Sequence, residues 1–216
     1  MIRTAPEGRW FIVGAWAVAL VLVLVALRAG SPGWWIATAV WLALSVWVVA
    51  FFRDPARSGP RGRQYAVAPA DGKVVSIVET DEPAFINRQA IRVSIFMNVF
   101  DCHVNRYPTD GTVAYRQYNP GKFGHAGAEK SSLDNEQSSV GLETPQGKVL
   151  VRQIAGLIAR RIVTDHPVGT EVRQGERMGM IRFGSRVDLF VPVGAEVLVR
   201  VGDTTRAGVT VVAQWN

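Results

Sequence analysis

The chain has little cysteine and little histidine, and this scarcity excludes several kinds of site. Its 216 residues contain one cysteine, Cys102, so an intramolecular disulfide and a cysteine-based metal site are both excluded. The three histidines, His103, His125 and His166, are too scattered to form a recognisable metal motif, and we expect no metal ion. The net charge is +6, but no run of arginine and lysine with interleaved aromatic residues is present, which argues against a nucleic-acid partner.

Charge is also missing from two long stretches near the start of the chain. Residues 10–27 and 34–52 are almost wholly apolar, and Arg28 and Arg53 close them. Each has about the length that a helix needs to cross a hydrocarbon core, roughly 20 residues, and in lipid a helix satisfies its own backbone hydrogen bonds. We therefore predict an N-terminal membrane helical hairpin over 1–53. Two buried core helices, or a hairpin that enters one leaflet without spanning, are the alternatives.

The positive charges around these stretches predict their orientation. Arg3 and Arg9 precede the first stretch, several arginines follow the second within residues 53–63, and the connecting turn holds only Arg28. Because basic residues collect on the cytoplasmic side, both ends of the hairpin are expected there. We therefore expect a protein of the cell membrane with its catalytic domain on the cytoplasmic face. The basic linker, 54–64, is expected to lie against anionic head groups.

Residues 65–216 have the pattern of a mainly β domain. Short runs of valine, isoleucine and phenylalanine stand between glycine, proline and aspartate, and the clearest predicted strands are residues 74–78, 91–96, 187–191, 196–201 and 209–213. Residues 149–163 fit either a helix or a buried strand. The polar stretch 117–140 predicts a long surface loop, and long loops in compact domains are often functional.

Three short pieces, residues 69–74, 175–179 and 191–197, share a glycine-centred style. They resemble the flattened β-sandwich of biotinyl and lipoyl carrier domains. That resemblance implies a mainly β catalytic domain with a barrel-sandwich-hybrid-like core, preceded by the helical hairpin.

A few residues are candidates for chemistry. Glycine before serine in Gly184-Ser185 leaves the Gly184 carbonyl open, and the Ser185 hydroxyl could attack it with a base nearby. Asp71 lies in an Asp-Gly pair, and His103 follows a predicted strand beside an acidic residue, which suits an acid–base group. Each also has an ordinary interpretation, because Gly-Ser and Asp-Gly pairs are common in turns and a lone histidine is more often structural. Cys102 lacks the sequence signature of a nucleophilic cysteine.

The order and spacing of these motifs carry a family resemblance. Residues 69–72 (Pro-Ala-Asp-Gly), 100–106 (Phe-Asp-Cys-His-Val-Asn-Arg) and 183–185 (Phe-Gly-Ser) resemble phosphatidylserine decarboxylase proenzymes, above all the short bacterial and archaeal branch. Further fragments at 118–123, 134–136 and 153–161 agree, so the likeness covers essentially all of residues 65–216.

The resemblance implies self-cleavage between Gly184 and Ser185 into a β chain, 1–184, and an α chain, 185–216, which remain associated. It implies that Ser185 becomes a pyruvoyl group, the one cofactor expected, whose carbonyl forms a Schiff base with the substrate amine and acts as an electron sink. The substrate is then an anionic phospholipid of the membrane, phosphatidylserine, which loses CO2 to give phosphatidylethanolamine. A second copy of the chain is a further candidate partner.

The same resemblance implies roles for individual side chains. Asp71 matches an aspartate that activates the serine for cleavage, and His103 matches a histidine that protonates the carbanion or assists cleavage. Longer bacterial members have a second histidine where this chain has Arg106, and a guanidinium does not act as a base near neutral pH. Arg106, Arg160 and Arg161 are candidates for holding the lipid phosphate, with a solvated basic face as the alternative.

Three other functions are weighed against this one. The same chemistry on a related lipid, such as archaetidylserine, is the first. A pyruvoyl-dependent decarboxylase of a soluble amino acid is the second, and the two apolar stretches argue against it. A non-enzymatic, membrane-tethered biotinyl-like adaptor is the third; it needs a lysine in a Met-Lys-Met or Asp-Lys context, which the sequence lacks.

Overall fold

The computed structural model describes residues 3–121, 135–156, 161–182 and 185–215. The chain separates into two compact units, Met1–Ala56 and Arg57–Asn216. Helices make up the first unit and strands the second. The mainly β architecture with an N-terminal helical pair is therefore confirmed.

The first unit is a pair of helices joined by a tight reversal. A short 3-10 helix, Pro6–Gly8, leads into α1, Arg9–Ala29, and α2 spans Pro32–Phe51. The chain reverses at Gly30, whose φ of 62° is a left-handed conformation that glycine adopts at little cost. Pro32 then begins α2, a position where its missing N–H leaves no helical hydrogen bond unmade.

Small and polar residues bring the two helices together. The indole Nε1 of Trp41 in α2 donates to the Ala15 carbonyl of α1 at 2.8 Å, and the nearby Ala19 and Ser45 are buried. Most large apolar side chains face outward instead, and Trp10 is 80% exposed. By length and composition, both helices could cross a membrane.

The second unit is built from antiparallel strands. In its described part they are β1 Tyr65–Val67, β2 Gly72–Glu82, β3 Arg88–Met97, β4 Val104–Arg106, β5 Gly111–Asn119, β6 Gln137–Thr144, β7 Gly147–Ala155, β8 Arg161–Thr164, β9 Glu171–Val172, β10 Arg177–Arg182, β11 Ser185–Pro192, β12 Glu196–Val197, β13 Thr204–Thr205 and β14 Val211–Gln214. Eight of them form one large sheet in the order β13-β2-β3-β11-β7-β6-β5-β9. The small sheets β1-β14-β12 and β4-β10-β8 complete the unit.

Strand β11 lies at the centre of the large sheet, between β3 and β7. Successive side chains of a strand point to opposite faces, and both faces of β11 are covered. Val187, Leu189 and Val191 belong to the main hydrophobic core, whereas Phe190 packs on the other face in a smaller cluster with Phe85. This burial on both faces fits the second half of the strand, where residues 189–191 are continuously apolar.

Two expectations about the chain are revised by the structure. Apart from Gly156, the described part of the ambiguous stretch 149–163 is strand, in β7 and β8. The loop predicted over 117–140 is wrong at both ends, because β5 continues to Asn119 and β6 begins at Gln137, and these two residues pair with each other. Residues 122–134 of that stretch lie outside the described residues.

Candidate active site

Ser185 opens strand β11, where Met97 of β3 and Ala155 of β7 flank it. Its side chain is fully buried, and its hydroxyl donates to the Met97 sulfur at 3.4 Å. A thioether sulfur is a weak acceptor, so the hydroxyl is not committed to a strong partner. Gly184, on the other side of the predicted cleavage point, lies outside the described residues.

A chain of buried polar side chains leads away from Ser185. The Met97 sulfur also accepts from Nδ2 of Asn105 at 3.7 Å, and Oδ1 of Asn105 accepts from Nε2 of Gln153 at 2.8 Å. Thr164 then donates its hydroxyl to Oε1 of Gln153 at 3.1 Å. Because Asn105 and Gln153 are fully buried, these bonds fix both amides in one orientation beside the predicted reacting residue.

His103 lies just before strand β4 and is fully buried. Its Nδ1 is 3.1 Å from the Asp101 carbonyl oxygen. A carbonyl can only accept, so Nδ1 carries the hydrogen, and Nε2 is the basic nitrogen of the neutral ring. The His103 carbonyl accepts the Ile181 amide at 3.3 Å, which holds this histidine against the segment that leads to Ser185.

Asp71 lies in the turn that precedes β2, two strands from Ser185. Lys73 of β2 pairs with Phe96 of β3, and the next residue of β3, Met97, pairs with Ser185. Neighbouring strands are about 4.8 Å apart, so Asp71 and Ser185 lie at the same end of the sheet. The structure therefore places Asp71, His103 and Ser185 in one region, although the Ser185 hydroxyl bonds to Met97 and not to either of them.

The carboxylate of Asp71 is occupied by other groups. Its Oδ2 lies 2.6 Å from Nη2 of Arg57, and its Oδ1 accepts the Ala207 amide at 2.7 Å. Burial alone lowers the pKa of the Arg57 guanidinium, but the Asp71 charge and hydrogen bond more than offset this, and the pKa lies above its ordinary value. The Arg57 guanidinium is therefore held in its charged form.

The neighbour of His103, Cys102, is a buried cysteine that forms no disulfide. Burial raises the pKa of this thiol, and the Asp71 carboxylate raises it further. The Val104 backbone and the Arg57 guanidinium act in the opposite direction but do not cancel the increase. Cys102 is therefore held as the neutral thiol, which is the unreactive form.

Comparison with known proteins gives this arrangement a family. The family model described as phosphatidylserine decarboxylase matches residues 44–213. The chain belongs to the phosphatidylserine decarboxylase family. A relative from Nitrosomonas europaea, called phosphatidylserine decarboxylase proenzyme, is 44% identical over 213 residues, which is 98% of this chain and 95% of the relative. Relatives of the same name from Symbiobacterium thermophilum and Aromatoleum aromaticum are 46% and 43% identical, and each match covers 97% of this chain and 94% of the relative.

The arginines expected to hold a lipid phosphate in a phosphatidylserine decarboxylase do not lie together. Arg106 pairs with Arg177 at one end of β10, and Arg161 pairs with Arg182 at the other end. Arg177 and Arg182 are five positions apart on β10, roughly 17 Å of backbone, so the structure does not bring Arg106 and Arg161 to the same end of the strand. Arg106 also donates to the Gly175 carbonyl at 3.1 Å. Arg161 is exposed and lies nearer to Ser185 along the chain than Arg106 does. Arg160 lies outside the described residues.

The sequence pattern does not single out three residues of this region. Met97 and Gln153 look like ordinary strand residues, although Gln153 begins the fragment 153–161, and Arg57 looks like one more arginine of the basic linker. A fourth residue of the region, Asn105, does stand out in the sequence, because it lies within the same motif as His103. No local signal links Arg57 to Asp71, which is 14 residues further along the chain.

Proposed function

We propose that this chain is a phosphatidylserine decarboxylase proenzyme that cleaves itself between Gly184 and Ser185. The observation that carries the proposal is the place of Ser185: a buried hydroxyl on the central strand, bound only weakly, with His103 held beside the segment that precedes it. The proenzyme names of relatives that match nearly the whole chain support the same conclusion.

The proposed cleavage passes through an ester between residues 184 and 185. The Ser185 oxygen attacks the Gly184 carbonyl carbon while a base takes the hydroxyl proton, and the amide nitrogen leaves to give an ester. Removal of the Ser185 Cα proton then breaks the Cβ–O bond, which releases residues 1–184 with a carboxylate end. The dehydroalanine at position 185 takes up water and loses ammonia, and a pyruvoyl group remains. His103 is the base we propose, acting through Nε2.

The residues around position 185 fit a pyruvoyl group. When formed, this group supplies a carbonyl that takes up the substrate amine and accepts the electron pair that decarboxylation leaves. His103 then returns a proton to the substrate carbon, and Arg161 holds the phosphate at the exposed end of β8. The buried setting keeps water from competing for that proton.

The sheet explains how the two products could stay together. Strands β11 to β14 all belong to the α chain, and three of them, β11, β13 and β14, pair with β3, β7, β2 and β1 of the β chain. Cutting the chain before Ser185 breaks none of these pairings. We therefore propose a non-covalent complex of residues 1–184 and 185–216, in which the free ends at the cut give the substrate access to position 185.

The helical pair suits a lipid substrate. We propose that α1 and α2 insert in the cell membrane and that the catalytic domain works on the cytoplasmic face, because basic residues flank the outer ends of the pair. We also propose that the β domain shares the barrel-sandwich-hybrid core of biotinyl and lipoyl carriers. Archaetidylserine differs from phosphatidylserine in its tails and not in its reacting group, so it is the second candidate substrate.

A decarboxylation assay tests the proposed activity. Full-length protein is mixed with vesicles that carry phosphatidylserine labelled in the serine carboxyl, and released CO2 is counted. The wild-type chain should release labelled CO2, and Ser185→Ala should release none, because alanine has no hydroxyl to start the cleavage. CO2 release by Ser185→Ala at the wild-type rate would exclude the pyruvoyl route. Vesicles with archaetidylserine in parallel distinguish the two lipid substrates.

A further inference from the structure

Arg57 and Asp71 form a largely buried ion pair at the start of the second unit. Nη2 of Arg57 lies 2.6 Å from Oδ2 of Asp71, and the side chains are only 5% and 14% exposed. Arg57 is therefore not available to bind lipid head groups, although the sequence predicts that role for the arginines of the basic linker. Its charge is directed into the catalytic domain instead.

The backbone around Arg57 is fixed on the domain as well. Nη1 of Arg61 donates to the Gly208 carbonyl at 2.7 Å. A Cβ at Gly59 would come within 2.7 Å of a backbone carbon of the domain, so a larger residue would need a shift there. Residues 57–62, which we call the strap, therefore lie directly against the domain and hold Arg57 in place.

Arg57 also faces the loop that carries His103. Its guanidinium also makes a side-chain hydrogen bond with Cys102, and Cys102 directly precedes His103. A guanidinium presents five donors in a rigid, planar fork. One arginine of the strap therefore connects the turn of Asp71 with the loop of His103.

The two segments joined by Arg57 carry His103, the proposed base, and Asp71, for which the family resemblance implies a role in activating Ser185. A buried ion pair is a weak source of stability, because desolvation of the two charges offsets most of their attraction. Fixing geometry is a better explanation for it here. We propose that Arg57 is a positioning residue for self-cleavage, which orients Asp71 and the Cys102–His103 loop toward the scissile bond. This inference rests on the self-cleavage proposed above.

The rate of precursor conversion tests the inference. Full-length precursor is made with a radiolabel by cell-free synthesis in the presence of lipid vesicles, and its conversion to two chains is followed on gels. Arg57→Met should slow conversion roughly ten- to a hundredfold, since a misplacement of about 1 Å in an active site can cost that much. Arg57→Lys keeps the charge but loses the fork, and it should also be slower than wild type. Arg63→Met is the matched control, because Arg63 is an exposed arginine of the same stretch, and its rate should not change.

Two further measurements separate positioning from a general loss of structure. Guanidinium ions at low millimolar concentration should restore part of the rate of Arg57→Ala without changing its Tm. The double variant Arg57→Met with Asp71→Asn should lose less rate than the product of the two single losses, because Arg57 acts in part through Asp71.

Each other outcome has a distinct meaning. Conversion of Arg57→Met or Arg57→Lys at the wild-type rate would overturn the inference, and so would effects of Arg57 and Asp71 that multiply in the double variant. If Asp71→Asn converts as fast as wild type, the inference fails while self-cleavage stands. If the wild-type precursor itself never converts, the proposed function fails.

Discussion

Replacing Asp188 by asparagine probes the buried ion pair that follows Ser185 on the central strand. Nε and Nη2 of Arg186 lie 2.6 and 2.8 Å from the two carboxylate oxygens of Asp188. The side chains are 1% and 0% exposed. Residues two apart on a strand share a face, so the pair forms within β11 itself, next to the proposed cleavage point.

The expected loss follows from the burial. Asparagine keeps the shape of Asp188 but removes the negative charge that faces the buried guanidinium. Losing one partner of a buried pair costs about 3–5 kcal/mol of unfolding free energy. A chain of this size loses about 2–4 °C of Tm per kcal/mol, so Tm should fall by roughly 6–20 °C.

Thermal unfolding of the full chain in detergent measures this loss. All variants carry Ser185→Ala, so that each unfolds as one intact chain. Asp165→Asn is the control, because the Asp165–Arg177 pair is 3.5 Å apart with side chains 24% and 20% exposed, and a longer, partly exposed pair is worth less than a fully buried one. Leucine at both 186 and 188 should recover most of the stability, since no charge of the pair then stays buried. A Tm drop for Asp188→Asn no larger than that for Asp165→Asn would refute this account of the pair.

Three other predictions concern single side chains. Cys102 should react with iodoacetamide far more slowly at pH 8 in the folded protein than in urea, and equal rates would contradict its burial. Folding raises the pKa of this thiol above its ordinary value of 9.0. The contribution of the thiol to the free energy of unfolding is therefore complete below pH 9.0 and is lost as the pH rises through the pKa of the folded state. Gly72→Ala should cost about 1–3 kcal/mol in thermal melts, because φ is +152° and the new Cβ would overlap a carbonyl oxygen of β3. Gly194→Ala is the control, because its new Cβ would meet no neighbouring atom, and its free energy of unfolding should stay within about 0.5 kcal/mol of the wild-type value. An equal loss of stability in both variants would contradict the close approach of Gly72 to the β3 backbone. Gln153→Leu should cost about 1–3 kcal/mol, because it leaves the buried Asn105 oxygen without its donor; a Tm equal to wild type would contradict that bond.

The local sequence pattern predicts those strands whose buried side chains are mostly apolar. The runs around Val74, Ile91 and Val187 are mainly apolar, and each lies in a strand of the large sheet. The start of β6 is missed because Gln137 and Ser138 are polar and yet buried. Ser138 is satisfied by the Thr164 hydroxyl at 3.0 Å, 26 residues further along the chain, and no local pattern contains that partner.

In the candidate site, too, local sequence pattern predicts some features and misses others. Motif order alone leads to Ser185, His103 and Asp71, and the structure places them at one end of the sheet. The contacts that organise them span long distances along the chain, such as the 48 residues between Asn105 and Gln153. Such contacts depend on which strands become neighbours, and a single sequence does not encode that in any local spacing.

The intact mass of the purified wild-type protein tests the central claim most directly. If Ser185 is the precursor of the catalytic group, mass spectrometry should find two chains, residues 1–184 and 185–216. The shorter chain should begin with a pyruvoyl group and resist Edman sequencing, and Ser185→Ala should remain whole. A single wild-type chain of 23.6 kDa that still releases CO2 from phosphatidylserine would contradict the account.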